Sequence, residues 1–247
     1  MSEEQKTYGL VGKSISYSFS EKYFTEKFKK NKIQNCTYKN FDLNNIKDLV
    51  SILKENDLKG LNITIPYKEQ VLSYLDEIED NAKLIGAINT IKINKDKTLT
   101  GYNTDFIGFI NTLRPHINSN CKKALILGTG GASKAIEYGL KKLNIESKKI
   151  SRNKKKGDLT YLEIDSDLIK EYQIIINTTP LGTYPDIENY PDIPYKYLTK
   201  KHICYDLIYN PDETTFLRKS KKKGAITING LRMLEIQAEE SWKIWNN

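Results

Sequence analysis

The segment ALILGTGGASKAI, residues 124–136, followed by KKIS at 148–151, constrains the fold of this chain more than any other part of it. A continuous apolar run, a turn holding three glycines, a helix bearing Ile136, Leu140 and Leu143, and a second strand describe a β-α-β unit. Two strands joined through a helix run parallel, with the helix packed back on the sheet in a right-handed crossover. Further apolar runs follow in QIIINT (173–178), HICYDLIY (202–209) and GAITING (224–230). Continuous apolar strands of this kind belong to parallel sheets covered on both faces.

Upstream, strands and helices also alternate. TYGLVG (7–12) reads as a first strand, and a helix carries Phe24 and Phe28. Ile46, Leu49, Val50 and Leu53 repeat at helical spacing and predict one buried stripe. LNITIP (61–66) is a strand stopped by Pro66, and Val71, Leu72, Leu75 and Ile78 predict another helix. Residues 87–105 predict a hairpin turning at the polar NKDK (94–97). Phe106, Phe109, Ile110 and Leu113 make a helix that Pro115 ends, and the chain closes on a helix with Leu234, Ala238, Trp242 and Trp245 along one face. The composition shifts near Asp105. The expected fold class is α/β in two domains, with residues 105–230 forming a Rossmann-type unit.

Composition removes several classes of function. No apolar run approaches the roughly 18 residues of a membrane helix, and the acidic start MSEEQK is no signal peptide. Cys36, Cys121 and Cys204 are odd in number and lack CxxC spacing, which suits a reduced cytoplasm. The net charge of +8 invites a nucleic-acid reading, but only Arg114, Arg152, Arg218 and Arg232 are arginines and the lysines are scattered. A solvated lysine-rich surface with no nucleic-acid partner is expected. His116 and His202 stand alone, so neither a metal site nor a Ser-His-Asp hydrolase is expected, and acid–base chemistry falls to Lys, Asp or Tyr.

The glycine turn places Gly128, Gly130 and Gly131, with Thr129 and Ala132, between strand and helix, where backbone N–H groups can face a pyrophosphate. The third position of the glycine fingerprint holds Ser133. A tight turn without ligand is the alternative. An NAD site carries an acid about 20 residues on; here 23 positions separate Gly128 from Ser151, and SRNKKKG (151–157) has no acid. Arg152 with Lys156 would pair with the 2′-phosphate of NADP; a basic surface turn is the alternative. Elsewhere Ser18 and Ser20 can hold a carboxylate, although Ser18 with Glu21 also spells a capping box. Thr64 and Lys68 flank Pro66 at a strand end, and Asp105 opens a helix that it or Thr104 could simply cap.

In chain order, GKSISYSFS (12–20), NITIPYK (62–68), GAINT (86–90), GYNTD (101–105), LGTGGASKA (127–135), NTTPLG (177–182), YDLIYNP (205–211) and NGLRMLEIQA (229–238) resemble the shikimate dehydrogenase family. The resemblance implies NADPH-dependent, reversible reduction of 3-dehydroshikimate to shikimate, a step toward aromatic amino acids. It implies that Lys68 is the general acid and base, oriented by Asp105, and that Ser18, Ser20 and Tyr209 hold the substrate carboxylate. Thr64, Asn89 and Gln237 would contact the ring hydroxyls and carbonyl. Residues 128–132 would cradle the pyrophosphate. Ser151, Arg152, Asn153 and Lys156 would take the adenosine end. Leu207 and Gly230 would face the nicotinamide, with Thr178 and Asp80 further cofactor contacts. In the family fold residues 231–247 complete a substrate domain formed by 1–104, and substrate and cofactor meet between the domains. Tyr17 stands where many relatives carry histidine and Glu21 where proline is usual. Two other readings are a quinate/shikimate enzyme of broader range and a catalytically silent NADP-binding sensor. A monomer or homodimer is the expected assembly.

Overall fold

Strand pairing divides the chain into two sheets and two units, Met1–Thr104 with Ala238–Asn247, and Asp105–Gln237. The computed structural model describes residues 5–16 and 18–247; residues 1–4 and Tyr17, both singled out above, lie outside the described residues.

The first unit contains β1 (Lys6–Gly12), α1 (Phe19–Lys30), β2 (Cys36–Asp42), α2 (Leu49–Glu55), β3 (Leu58–Ile63), β4 (Glu77–Ile78), α3 (Asp80–Ile85), β5 (Thr90–Ile93) and β6 (Leu99–Tyr102). The sheet order is β2-β1-β3-β5-β6-β4. β1 runs parallel to β2 and β3, whereas β5 is antiparallel to both β3 and β6. The last of these pairs is the predicted hairpin, with Lys97 at φ 69° in its turn. Along β3, Leu61 and Ile63 enter one apolar core with Val11, Leu49 and Ile91. The intervening Asn62 faces the opposite side of the pleat, where Tyr8, Phe24, Tyr38 and Trp245 form a second, aromatic core.

Two local expectations are corrected here. Residues 71–78 are not one helix: a 3-10 turn spans Gln70–Tyr74, and Ile78 lies in β4. The Asp76 carboxylate accepts the Leu99 N–H at 2.8 Å, and pairing of β4 with β6 wins over the helical spacing. In the stripe from Ile46 to Leu53, Val50 is exposed and Ile52 packs on the core instead. The first three residues, Ile46–Asp48, wind as a 3-10 helix, whose three residues per turn shift the phase.

The second unit contains α4 (Asp105–Leu113), β7 (Lys123–Leu127), α5 (Gly131–Lys142), β8 (Glu146–Ser151), β9 (Leu159–Thr160), α6 (Ser166–Glu171), β10 (Ile174–Asn177), β11 (Ile203–Asp206), α7 (Thr215–Lys221) and β12 (Ile226–Ile228). All its strand pairs are parallel, in the order β12-β11-β10-β7-β8-β9. Alternate residues feed opposite cores: Ala124, Ile126, Ile174 and Ile176 on one face, Leu125, Leu127, Ile175 and Cys204 on the other. Burial on both faces explains the continuous apolar runs. The closing helix α8 (Leu231–Asn246) belongs to both units: residues 231–237 count with the second, and Ala238 onward with the first. No helix among the described residues is long and apolar enough to cross a membrane.

Candidate active site

In the first unit, the end of β3 and the turn after it are held from several sides. The Thr64 N–H donates to Val11 O at 2.9 Å, and the buried Tyr67 hydroxyl donates to Leu43 O at 2.6 Å. The Lys68 carbonyl accepts the Ile88 N–H at 2.7 Å, which seats half-buried Lys68 beside the segment carrying Asn89. Asn89 is buried; its Oδ1 accepts the Thr104 N–H at 2.7 Å and the Thr90 hydroxyl at 3.0 Å, and its Nδ2 donates to Thr104 Oγ1 at 2.9 Å. Ser18 caps α1 by accepting the Ser20 N–H at 3.2 Å. The capping box is not completed, because Glu21 turns away to accept from Asn40 Nδ2 at 2.6 Å. The loop ahead of Ser18 is tied by the Asp42 carboxylate, which accepts the Ser14 and Ile15 N–H groups at 2.8 and 3.1 Å. Asp80 is an exposed first residue of α3.

Three further candidates, Asp105, Tyr209 and Gln237, fall in the second unit. Asp105 is the buried first residue of α4. Tyr209 is half-buried just beyond β11. Gln237 is buried on α8, its Nε2 donating to Leu234 O at 2.9 Å.

The remaining cofactor candidates gather at the carboxyl ends of the second sheet, where the order reverses between β7 and β10, the place where open α/β sheets bind ligands. Gly128 has φ +117°, and a Cβ there would stand 2.6 Å from Thr178 Oγ1. Only glycine takes that turn without strain. A Cβ on Gly130 would meet nothing within 4 Å, so the backbone at the start of α5 is open to a ligand. Thr129, Gly131 and Ala132 beside it are half-buried. Ser133 accounts for the missing third glycine: it is buried and its hydroxyl returns to Gly130 O at 2.6 Å.

Gly230 is pressed against the chain after β11, a Cβ there falling 2.0 Å from Leu207 O, so Leu207 and Gly230 are brought together. Ser151 is buried at the end of β8, its Oγ accepting the Asn153 N–H at 3.1 Å. Arg152, Asn153 and Lys156 are exposed beyond it. Lys154 is paired with Glu163, whose carboxyl is held down at about 2 by that ammonium and by Thr160.

Sequence reading missed a buried acid under this site. Asp206 accepts the Thr214 hydroxyl at 2.6 Å, the Asn177 Nδ2 at 3.0 Å and the Ile208 N–H at 3.1 Å. Burial pushes its carboxyl up to about 6 against those three donors. An acid ending an otherwise apolar strand was the available signal. Asn62, quoted within NITIPYK, was missed in the same way.

Residues 10–91 match a family model described as the shikimate dehydrogenase substrate binding domain. A shikimate dehydrogenase (NADP(+)) from Methanococcus maripaludis is 43% identical, covering 99% of this chain and 93% of that protein. This chain belongs to the shikimate dehydrogenase family. A solved family member in complex with NADP+ is 36% identical at a TM-score of 0.85, covering 98% of this chain and 90% of that one. The shikimate 5-dehydrogenase of Thermus thermophilus, solved with NADP(H) and shikimate, is 27% identical at a TM-score of 0.86, covering 97% of this chain and 92% of that one.

Proposed function

We propose that this chain catalyses the reversible NADPH-dependent reduction of 3-dehydroshikimate to shikimate. The observation that carries the reading is near-full-length identity to NADP(+)-dependent shikimate dehydrogenases, which covers the substrate half and the cofactor half alike. Residues 1–104 with 231–247 are assigned to substrate and 105–230 to NADP.

The residues present fit the cofactor. Gly130 leaves its backbone open and Gly128 takes a turn reserved for glycine. Arg152, Lys155 and Lys156 have no carboxylate within ion-pair distance among the described residues, and no acid stands at 151–156 to repel a 2′-phosphate. That charge pattern favours NADP over NAD and disfavours the broader quinate reading. The start of α5 is assigned the pyrophosphate, residues 151–156 the adenosine end, Leu207 and Gly230 the nicotinamide side, Thr178 a further contact and Asp80 an outlying one.

Bound NADPH supplies the hydride. The carbonyl oxygen that gains charge then needs a proton donor, and Lys68 gives it, taking it back in the oxidative direction. Asp105 is its acidic partner in the reaction. Ser18, Ser20 and Tyr209 are assigned the substrate carboxylate; Thr64, Asn89 and Gln237 are assigned the ring oxygens. A sensor would have no use for Lys68 and Asp105 together. The cytoplasm is the compartment this reading implies, with Cys36, Cys121 and Cys204 outside any disulfide. No nucleic-acid partner is assigned, since many lysines, such as Lys123, Lys149 and Lys154, are already paired with carboxylates. The working unit is a monomer or homodimer.

The test is NADPH oxidation with 3-dehydroshikimate by the wild type and by Lys68→Ala. Turnover in the wild type, lowered roughly 10²–10⁴-fold in the variant, is expected for loss of a general acid. Equal turnover would remove Lys68 from the chemistry.

A further inference from the structure

The first unit hides a continuous polar chain beneath its site. Tyr38 donates to Asn62 Oδ1 at 2.8 Å, and Asn62 Nδ2 donates to Ser241 Oγ at 2.9 Å, with Asn89 O also in reach at 3.2 Å. Ser241 and Thr90 hydroxyls meet at 2.7 Å, and Thr90 donates to Asn89 Oδ1 at 3.0 Å. Thr104 closes the circuit, 3.3 Å from Ser241 Oγ and accepting from Asn89 Nδ2 at 2.9 Å. Tyr38, Asn62, Thr90, Thr104 and Ser241 are all buried.

The directions are mutually consistent. With Asn62 donating to it, Ser241 turns its own proton to Thr90, and Thr90 turns its proton to Asn89. Asn89 Oδ1 is thereby taken twice, by Thr90 and by the Thr104 N–H. What the Asn89 side chain offers a substrate oxygen therefore comes from Nδ2, as a donor.

We propose that Tyr38, Asn62 and Ser241 are positioning residues that fix the Asn89 amide as a donor to the substrate ring. The proposal rests on the shikimate reading, and it deepens that reading by naming residues that act through the site instead of in it. Ser241 supplies this link from α8, so the C-terminal helix sets the geometry of a site built mainly from residues before Thr104.

The test compares wild type, Tyr38→Phe, Ser241→Ala and the double variant in NADP+ reduction by shikimate. Trp242 and Trp245, the two tryptophans, both lie on α8, so their fluorescence reports whether that helix stays docked. With fluorescence unchanged, each single variant should raise KM for shikimate about tenfold, equivalent to ~1.4 kcal/mol. KM for NADP+ should stay within about twofold. Both residues bond to Asn62, so the double variant should raise KM by less than the product of the singles. A merely structural role would lower the melting temperature and leave KM for shikimate unmoved, which overturns the proposal; so does a parallel rise of both KM values. Should one variant fail to fold, the other decides by the same readout. A wild type inert toward shikimate brings down the functional reading, and this inference with it.

Discussion

Asp206 stands where burial and hydrogen bonding pull its proton in opposite directions, and burial wins, raising its carboxyl from 3.8 to about 6. Between those values the folded protein keeps a proton that the unfolded chain has lost, so this group makes stability fall as pH rises from about 4 to 6 and is flat above. The span corresponds to on the order of 3 kcal/mol. Denaturant unfolding of wild type and Asp206→Asn across that window should show the wild type losing ground relative to the variant as pH rises. Parallel curves would mean that Asp206 ionises at its ordinary value. Gly230 makes a second prediction at this scale. A Cβ would lie 2.0 Å from the Leu207 carbonyl oxygen, which is backbone and cannot swing aside. Gly230→Ala should therefore cost about 1–3 kcal/mol and weaken NADP+ binding measured by titration. Unaltered binding would remove Leu207 and Gly230 from the cofactor site.

At the scale of elements, α8 is the part of the first unit most separated from it in sequence. Trp245 packs so closely on β3 that a Cβ on Gly60 would fall 2.2 Å from the indole, and Trp245 Nε1 donates to Ile91 O at 2.9 Å. Glu239 on the same helix accepts from Lys27 at 2.6 Å. Trp245→Ala should lose about 3–5 kcal/mol, the usual cost of emptying a buried indole site, read as a fall in the denaturant midpoint; a loss under about 1 kcal/mol would mean that α8 is not anchored there. Much of this was legible in the sequence. Phe24 and Phe28 marked α1, Phe109 and Leu113 marked α4, and the apolar runs marked β7, β10 and β11, because burial on one or both faces writes itself as periodicity. Where a sheet edge competed with a helix, at Leu75 to Ile78, spacing alone misled. Buried polar residues were the other blind spot. Tyr38, Asn62 and Ser241 are defined by one another across distant segments, and a hydrogen-bond circuit leaves no period in a sequence.

At the scale of the whole molecule, eight motifs in order identified the family from sequence, while their anchoring became visible only in three dimensions: Lys68 through Ile88, Gly128 against Thr178, Ser133 back to Gly130. The net charge of +8 is mostly dispersed lysine, and the concentration of it that bears on the cofactor is the run from Arg152 to Lys156 beyond β8. There the charge of the whole chain meets the question of which cofactor it takes. The most direct test of the account is reduction of NADP+ by the purified protein with shikimate, run beside NAD+ and beside quinate. Rapid NADPH formation with shikimate, and little with NAD+ or quinate, is the predicted result. Cofactor binding without turnover of shikimate, or a preference for NAD+, would contradict it.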